Sequence, residues 1–227
     1  MHLITAEFFK RLLTGIFLLI CFGGSYLHSA LLFSIVLAGT LLIMLIFEWP
    51  TLVSLNKPSR LALTILYPIA PMAGLIWLTN TFYTTDFYLP LYPFLSAWTA
   101  DTCGYIVGKL CGNHKIYPAI SPGKSWEGLA GSIIGVIGMH CVFMPRIALF
   151  AGSPLYINKV LLVLYSIAIT LVAFLGGLVL SLLKRRQGLK DAGDILPGHG
   201  GFLDRFDGVF FTTLATLVVV AVGGWVQ

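Results

Sequence analysis

Long apolar windows alternate with short polar stretches along this chain, and the window lengths predict its helices. The apolar windows cover residues 12–47, 61–85, 128–145, 160–183 and 208–227, and a further span is predicted at about 87–108, where Asp101 interrupts it. A helix needs roughly 20 residues to cross the hydrocarbon of a bilayer, and a single helix over the first window would be ~54 Å long. We therefore predict that this window folds as two short spans that turn near Gly23, Gly24 and Ser25. The pattern predicts about seven transmembrane helices.

The composition excludes an ordinary soluble fold. Of the 227 residues, 58% are hydrophobic and only 10% are charged, which differs strongly from a typical soluble domain. Lipid requires that backbone hydrogen bonds be satisfied within the spanning element, and this favours helices. The predicted fold class is all-α, a polytopic integral membrane helical bundle. No repeat or linker interrupts the pattern, so residues 1–227 are predicted to form a single integral membrane domain.

The positions of the basic residues predict how the helices are oriented. Cytoplasmic loops of membrane proteins are enriched in Lys and Arg. With a cytoplasmic N-terminus and seven helices, 12 of the 14 lysines and arginines lie on the cytoplasmic side, and only Arg146 and Lys159 lie outside. The net charge of +5 then reflects topology. A nucleic-acid partner is not needed to explain it.

Ionisable residues concentrate in residues 181–207. Charged groups close to a bilayer are costly, and where they occur they usually have a function. The segment contains four of the nine acidic residues, five basic residues and a histidine: Asp191, Asp194, Asp204, Asp207, Lys184, Arg185, Arg186, Lys190, Arg205 and His199. Lysine and arginine bind phosphate, while carboxylates and phosphate oxygens are the ligands that Mg²⁺ prefers. The segment therefore predicts phosphate chemistry with a divalent metal at the membrane surface.

Spacing within this segment brings several of these side chains together. Ser181, Lys184 and Arg185 recur at i, i+3 and i+4, so they share one face at the cytoplasmic end of a helix. Asp204 and Asp207 lie three residues apart at the start of the last span. Both carboxylates can therefore face one site.

Residues 196–201, with the sequence LPGHGG, are predicted to form a turn between these two groups. Glycines such as Gly200 and Gly201 permit tight turns and a close approach of backbone to a ligand. A histidine in a turn often bonds only to backbone. Beside so many charges, however, His199 is a candidate phosphate donor.

A second candidate region lies on the predicted helix near residue 100. Asp101, Gly104, Tyr105 and Gly108 recur at helical spacing and share one face. Small residues on such a stripe let another helix approach closely. Two interpretations of Asp101 stay open, a polar clamp between helices and a site residue near the cytoplasmic end of its helix.

Residues 121–128 are predicted to form a turn that opens the next span. Ser125 is a candidate N-cap, with Gly128 three residues further on. The backbone N–H groups of a helix start, together with Lys124, form a candidate phosphate cradle. Trp126 is interpreted as an anchor at the membrane interface.

These residues resemble the signature of the phosphatidate cytidylyltransferases, also called CDP-diacylglycerol synthases. The signature is matched without a gap by Ser181, Lys184, Arg185, Lys190, Asp191, Pro197, His199, Gly200, Gly201, Asp204, Arg205 and Asp207. Two upstream landmarks of the family have counterparts at Asp101, Thr102, Tyr105, Gly108 and Lys109, and at Ser121, Pro122, Lys124, Trp126, Glu127 and Gly128. The resemblance covers about residues 95–210.

The resemblance implies a metal-dependent nucleotidyl transfer in phospholipid biosynthesis. CTP and phosphatidate would give CDP-diacylglycerol and pyrophosphate. The implied partners are CTP, phosphatidate and membrane lipid, and the implied location is a bacterial-type inner (plasma) membrane with the active site on the cytoplasmic side. The implied cofactor is Mg²⁺, and a second cation, monovalent or divalent, stays open.

The resemblance also implies roles for individual residues. The metal is expected on Asp204 first, with Asp191 and Asp207 as supporting ligands. The implied catalytic residues are Asp204, Asp191, Lys184, Arg185, Lys190 and Arg205. The implied substrate-binding residues are Lys124, Ser181, His199, Gly200, Gly201 and Asp101.

Two departures from the family pattern leave alternatives open. Gly177 stands where the family usually has a metal-binding aspartate, and Gly123 replaces the first lysine of a lysine pair. A compensating ligand such as Asp101 or Asp191 is one explanation, and a family member that has lost catalysis but binds lipid or nucleotide is another. A transporter is a third, more distant alternative. A homodimer stays open as well, because small residues such as Gly131 and Gly135 permit close helix pairing.

Overall fold

The computed structural model describes residues 10, 12–53, 58–148, 150, 151, 153 and 157–222. In this part of the chain seven helices follow one another: α1 Leu12–His28, α2 Ala30–Leu52, α3 Arg60–Phe82, α4 Tyr92–Cys111, α5 Trp126–Arg146, α6 Lys159–Arg186 and α7 Leu203–Val222. Five of them, α2, α3, α5, α6 and α7, are long and apolar enough to cross a membrane. The all-α, polytopic membrane fold class is confirmed. Seven spans and a cytoplasmic N-terminus stay predictions.

A short antiparallel hairpin was not predicted. Strands β1, Lys115–Tyr117, and β2, Ser121–Ser125, pair between α4 and α5. Sequence reasoning treated the second of these segments as a plain turn. Its Pro and Gly content hides the strand, because both residues are uncommon in strand interiors.

The break between the first two helices lies later than predicted. The chain remains helical through Gly23 and Gly24, which form part of a wider π-helical turn over Leu19–Gly24. The helix ends at His28, and Ser29 is extended, with φ −169° and ψ 154°. The Ser29 hydroxyl accepts a hydrogen bond from the backbone N–H of Leu32 at 3.1 Å. The predicted turn at Gly23–Ser25 was therefore wrong, because N-cap chemistry rather than glycine sets the break.

The chain folds into two compact units. The first unit comprises Met1–Asn80 and Leu183–Phe206, and the second comprises Thr81–Leu182 and Asp207–Gln227. The long helices α6 and α7 thus contribute residues to both. The single domain expected over residues 1–227 stays a prediction.

Aromatic side chains form the core of the first unit. The fully buried Trp49 donates its indole N–H to the Thr64 hydroxyl at 2.7 Å and stacks on Tyr67 with ring centroids 5.5 Å apart. Tyr26 and Phe33 pack edge to face at 4.9 Å. These contacts fix α1, α2 and α3 against one another and give the end of α2, at Leu52, a defined position.

Small residues let α4 and α5 pack closely in the second unit. A Cβ atom added at Gly104 would be 3.3 Å from the Gly128 carbonyl oxygen, and the Ser132 hydroxyl donates to the Ala100 carbonyl at 2.6 Å. The predicted helix–helix role of this stripe is confirmed. On α5, Gly131 and Gly135 face α4 in the same way. This face therefore packs against α4 of the same chain and is not available for pairing with a second copy. The homodimer stays a prediction, but Gly131 and Gly135 no longer support it.

A buried polar cluster joins three helices of the second unit. The Tyr92 hydroxyl lies 2.8 Å from His140 Nε2 and donates to the Tyr165 hydroxyl at 3.1 Å. His140 Nδ1 lies 2.7 Å from the Ser166 hydroxyl. Such contacts stabilise helix pairs where no water can replace them. Sequence reasoning did not find this cluster.

Candidate functional site

The Asp204 carboxylate organises the signature loop of the first unit. Its Oδ1 accepts from Lys184 Nζ at 2.6 Å, and the two side chains are only 8% and 13% exposed, respectively. Its Oδ2 accepts from the backbone N–H of Ala192 at 2.8 Å and of Gly201 at 3.1 Å. Asp204 thus ties the end of α6, the loop and the first turn of α7 together.

The predicted turn at residues 196–201 is confirmed. Leu196 N–H donates to the Gly200 carbonyl at 2.9 Å, and Gly198 and Gly200 have φ values of 74° and 77°. A Cβ atom at Gly200 would be 2.9 Å from Asp204 Oδ2 and 3.7 Å from Asp191 Cγ. Glycine is therefore needed here for both conformation and space, and the carboxyl groups of Asp191 and Asp204 flank it.

The exposed Arg205 side chain stabilises the turn at residues 196–201. Its guanidinium donates through Nε and Nη2 to the His199 carbonyl, at 3.1 and 2.7 Å. Arg185 Nη1 donates to the Leu189 carbonyl at 3.1 Å. Both arginines and Lys190 are exposed. Their predicted phosphate roles stay predictions, and the structure adds a loop-holding role for Arg205.

Sequence reasoning missed Glu48 at the end of α2. It is fully buried, and it accepts from the N–H of Phe202 through Oε1 at 2.7 Å and from the N–H of Leu203 through Oε2 at 2.8 Å. It lies at the end of a π-helical turn, Met44–Glu48, a feature often found near functional sites. One signal could have revealed it, because Glu48 is the only acidic residue between residues 8 and 85.

A cavity of about 230 Å³ lies in the second unit. It is lined by Ala100, Asp101, Gly104, Tyr105, Ser121, Gly123, Lys124, Ser125, Gly128, Leu129, Ser132 and Phe174. The structure therefore brings Asp101 and Lys124, which lie on different sequence landmarks, to one cavity. Lys124 Nζ donates to the Phe174 carbonyl at 3.1 Å and lies 4.2 Å from the centroid of its ring.

Gly177 is buried on α6 in the same unit, beside Lys124. A Cβ atom there would be 2.7 Å from Lys124 Nζ and 3.3 Å from Asp207 Oδ2. The missing side chain would thus have pointed between an ammonium and a carboxylate. The predicted orientation of position 177 toward charged site residues agrees with this geometry. Ser181 lies half-buried one turn further along α6.

Ser125 caps α5, as the sequence predicts. Its hydroxyl accepts from the N–H of Gly128 at 3.2 Å. Glu127 supports the hairpin, because its carboxylate lies 2.5 Å from His114 Nδ1 and also accepts from the His114 N–H. These contacts hold β2, and Lys124 with it, at the start of α5.

The carboxylates near the glycine turn suit a metal ion that takes its remaining ligands from substrate phosphates. Among the described residues, no group of three Asp, Glu, His or Cys side chains could hold a metal ion by itself. Mg²⁺ is usually bound through one or two carboxylates with substrate phosphates. Asp191 and Asp204 form such a pair beside Gly200, and Asp207 accepts from the Gly208 N–H through Oδ1 at 2.7 Å. The assignment of the metal to Asp204, Asp207 and Asp191 stays a prediction.

Five apolar helices long enough to cross a membrane, with ionisable side chains at helix ends and in the loop between α6 and α7, define an integral membrane protein. The sequence profile of the cytidylyltransferase family matches residues 6–222. The chain belongs to this family, and the resemblance seen in its motifs is confirmed.

Curated relatives agree with this family. The chain is 34% identical over 213 residues to a phosphatidate cytidylyltransferase of Rickettsia conorii, covering 92% of this chain and 89% of the relative. It is 45% identical over 121 residues to a phosphatidate cytidylyltransferase of Staphylococcus haemolyticus, covering 53% and 44%. It is 37% identical over 142 residues to one of Haemophilus influenzae, covering 60% and 48%.

Proposed function

We propose that this chain is a phosphatidate cytidylyltransferase, which converts CTP and phosphatidate into CDP-diacylglycerol and pyrophosphate. One observation carries the proposal: the signature residues Lys184, Asp191 and Asp204 lie together at the glycine turn in a chain that matches the family over residues 6–222. Relatives named for this activity support the proposal, and the family match gives no support to a transporter.

The reaction joins two anions. A phosphate oxygen of phosphatidate attacks the α-phosphorus of CTP, the bond from that phosphorus to the bridging oxygen breaks, and pyrophosphate leaves with the electron pair. Repulsion between the reactants must be neutralised, and so must the charge that moves to the leaving group. Lys184, Arg185, Lys190 and Arg205 supply positive charge for this purpose. No covalent protein nucleophile is required.

Mg²⁺ would be held by Asp204, with Asp191 and Asp207 as supporting ligands, and would neutralise phosphate charge when bound. Lys184 then has a second task. Because its ammonium bonds to Asp204 Oδ1 at 2.6 Å, it holds the carboxylate in one orientation. His199 and Gly200 are proposed to bring imidazole and backbone donors to the substrate phosphates. Gly201 is proposed to let the substrate approach closely, because its N–H already donates to Asp204 Oδ2.

The cavity of the second unit is proposed to bind part of a substrate. Pockets for drug-sized ligands measure roughly 300–1,000 Å³, and this cavity of about 230 Å³ is smaller. Its one lysine, Lys124, and the serine hydroxyls suit a phosphate group rather than a whole nucleotide. Asp101, at the same cavity, is proposed to accept a substrate hydroxyl or orient Lys124.

The location is proposed to be a bacterial inner membrane, with the active site on the cytoplasmic side. The helices long enough to span a bilayer and the bacterial relatives support a membrane location. The distribution of lysines and arginines supports the cytoplasmic side.

The decisive experiment is a turnover assay with purified protein in detergent. Radiolabelled CTP, phosphatidate and Mg²⁺ are supplied, and CDP-diacylglycerol is followed in the lipid phase. We expect product with Mg²⁺, none with excess chelator, and recovery when Mg²⁺ is restored. A folded protein that makes no CDP-lipid under any of these conditions contradicts the proposed function.

A Gly177→Asp variant separates the active protein from a silent one. The new carboxylate lands beside Lys124 Nζ, so it is expected to pair with that ammonium and raise the KM for CTP about tenfold, in line with a charged hydrogen bond. Gly177→Asn, which has the same shape without the charge, should change the KM much less. An inactive wild-type protein that gains activity in Gly177→Asp would establish the alternative of lost catalysis instead.

A further inference from the structure

At two positions of the first unit, Gly193 and Gly201, the Glu48 side chain leaves little room for a Cβ atom, although the backbone conformation there does not require glycine. Among the described residues, the glycines with positive φ are Gly188, Gly198 and Gly200, and Gly201 is not one of them. A Cβ atom at Gly201 would nevertheless lie 2.7 Å from Glu48 Cδ and 2.8 Å from each carboxylate oxygen. A Cβ atom at Gly193 would lie 3.0 Å from Glu48 Cγ. The loop therefore leaves space at two points for this one side chain.

The hydrogen bonds of Glu48 show what it does in that space. Each of its oxygens accepts one backbone N–H at the start of α7, from Phe202 and from Leu203. The first N–H groups of a helix have no partner within the helix, and a carboxylate satisfies them while complementing the helix dipole. An amide side chain would place its NH₂ group against one of these donors.

We propose that Glu48 is a positioning residue for the signature loop. Its carboxylate fixes residues 202 and 203, and the adjacent Gly201 N–H is thereby held at Asp204 Oδ2, 3.1 Å away. Glu48 acts through Asp204 and makes no contact with substrate. Its effect on turnover rests on the proposed function, whereas its effect on loop order does not.

The first test compares Glu48→Gln with a matched control. In the turnover assay, Glu48→Gln should lower kcat at least tenfold and leave the KM for phosphatidate within about twofold, because the loop loses one charged hydrogen bond and gains a repulsive contact. Thr64→Val removes the buried hydrogen bond of Trp49, the next residue along α2. It should lower the melting temperature but leave kcat within about twofold.

The second test measures coupling between Glu48 and Gly201. Gly201→Ala should be severely impaired, because the new methyl group overlaps the Glu48 carboxylate. Glu48→Asp shortens that side chain, so the double variant should recover at least tenfold in kcat over Gly201→Ala alone. If the losses in the double variant are additive, the proposal is overturned. This double-mutant cycle also tests the proposal if Glu48→Gln does not fold.

Hydrogen exchange gives a readout that does not need activity. Backbone amides of residues 192–203 should exchange at least tenfold faster in Glu48→Gln than in the wild type, and Thr64→Val should leave them unchanged. If Glu48→Gln exchanges like the wild type and its kcat stays near the wild-type value, the positioning role of Glu48 is contradicted but the proposed function is not. An inactive wild type whose Glu48→Gln variant exchanges faster contradicts only the proposed function.

Discussion

Asp204→Asn is expected to reduce CDP-diacylglycerol formation about 10³-fold, because ionic stabilisation in such sites contributes several kcal/mol. Three donors converge on the two oxygens of Asp204: the Lys184 ammonium and the N–H groups of Ala192 and Gly201. Asparagine has one acceptor oxygen. Whichever way its amide is turned, the NH₂ group faces a donor, and the negative charge proposed to bind the metal is lost.

The control for this variant is Asp194→Asn. Asp194 lies in the same loop and is exposed, so neutralising it should leave turnover within about twofold. Steady-state assays over a range of Mg²⁺ concentrations measure both variants. Full Mg²⁺-dependent turnover in Asp204→Asn would remove the metal assignment.

Lys124→Met is expected to lower kcat/KM for CTP about 10²-fold. A hydrogen bond to a charged group is worth about 1.5–3 kcal/mol, and among the described residues Lys124 is the only lysine or arginine on the cavity wall of the second unit. Methionine retains much of the length and apolar character of the side chain, so packing on Phe174 should survive. The loss is therefore electrostatic and should be partly restored by Lys124→Arg.

Lys115→Met serves as the matched control for Lys124. Lys115 lies on β1 of the same hairpin, opposite Ser125 in the strand register, but its side chain is exposed. Its loss should leave kcat/KM within about twofold. Equal losses in the two variants would show that hairpin charge matters in general and would contradict a specific role for Lys124.

Features set by neighbouring residues could be predicted from the sequence. The glycine turn at residues 196–201 and the Ser125 cap follow from local backbone chemistry, and both are present. The stripe of Gly104 and Gly108 follows from helical period, and it does face another helix. In each case the partner lies only a few residues away, or the period alone defines the face.

Features set by distant residues could not be predicted. Glu48 meets Phe202 and Leu203 across more than 150 residues of chain, and no spacing rule connects them. Lys124 reaches the space beside Gly177 because β2 carries it there. The break at Ser29 was missed for a different reason, since glycine was given more weight than a serine able to cap a helix.

The close packing of α4 and α5 has a consequence for how the protein is made. Only residues 112–125 separate the two helices, and the hairpin of β1 and β2 within this segment reverses the direction of the chain. Such local pairings form quickly because little chain entropy is lost in closing the loop. We expect this pair, which carries Asp101 and Lys124, to assemble during synthesis as a helical hairpin, and α6 then adds Phe174 to complete the cavity wall.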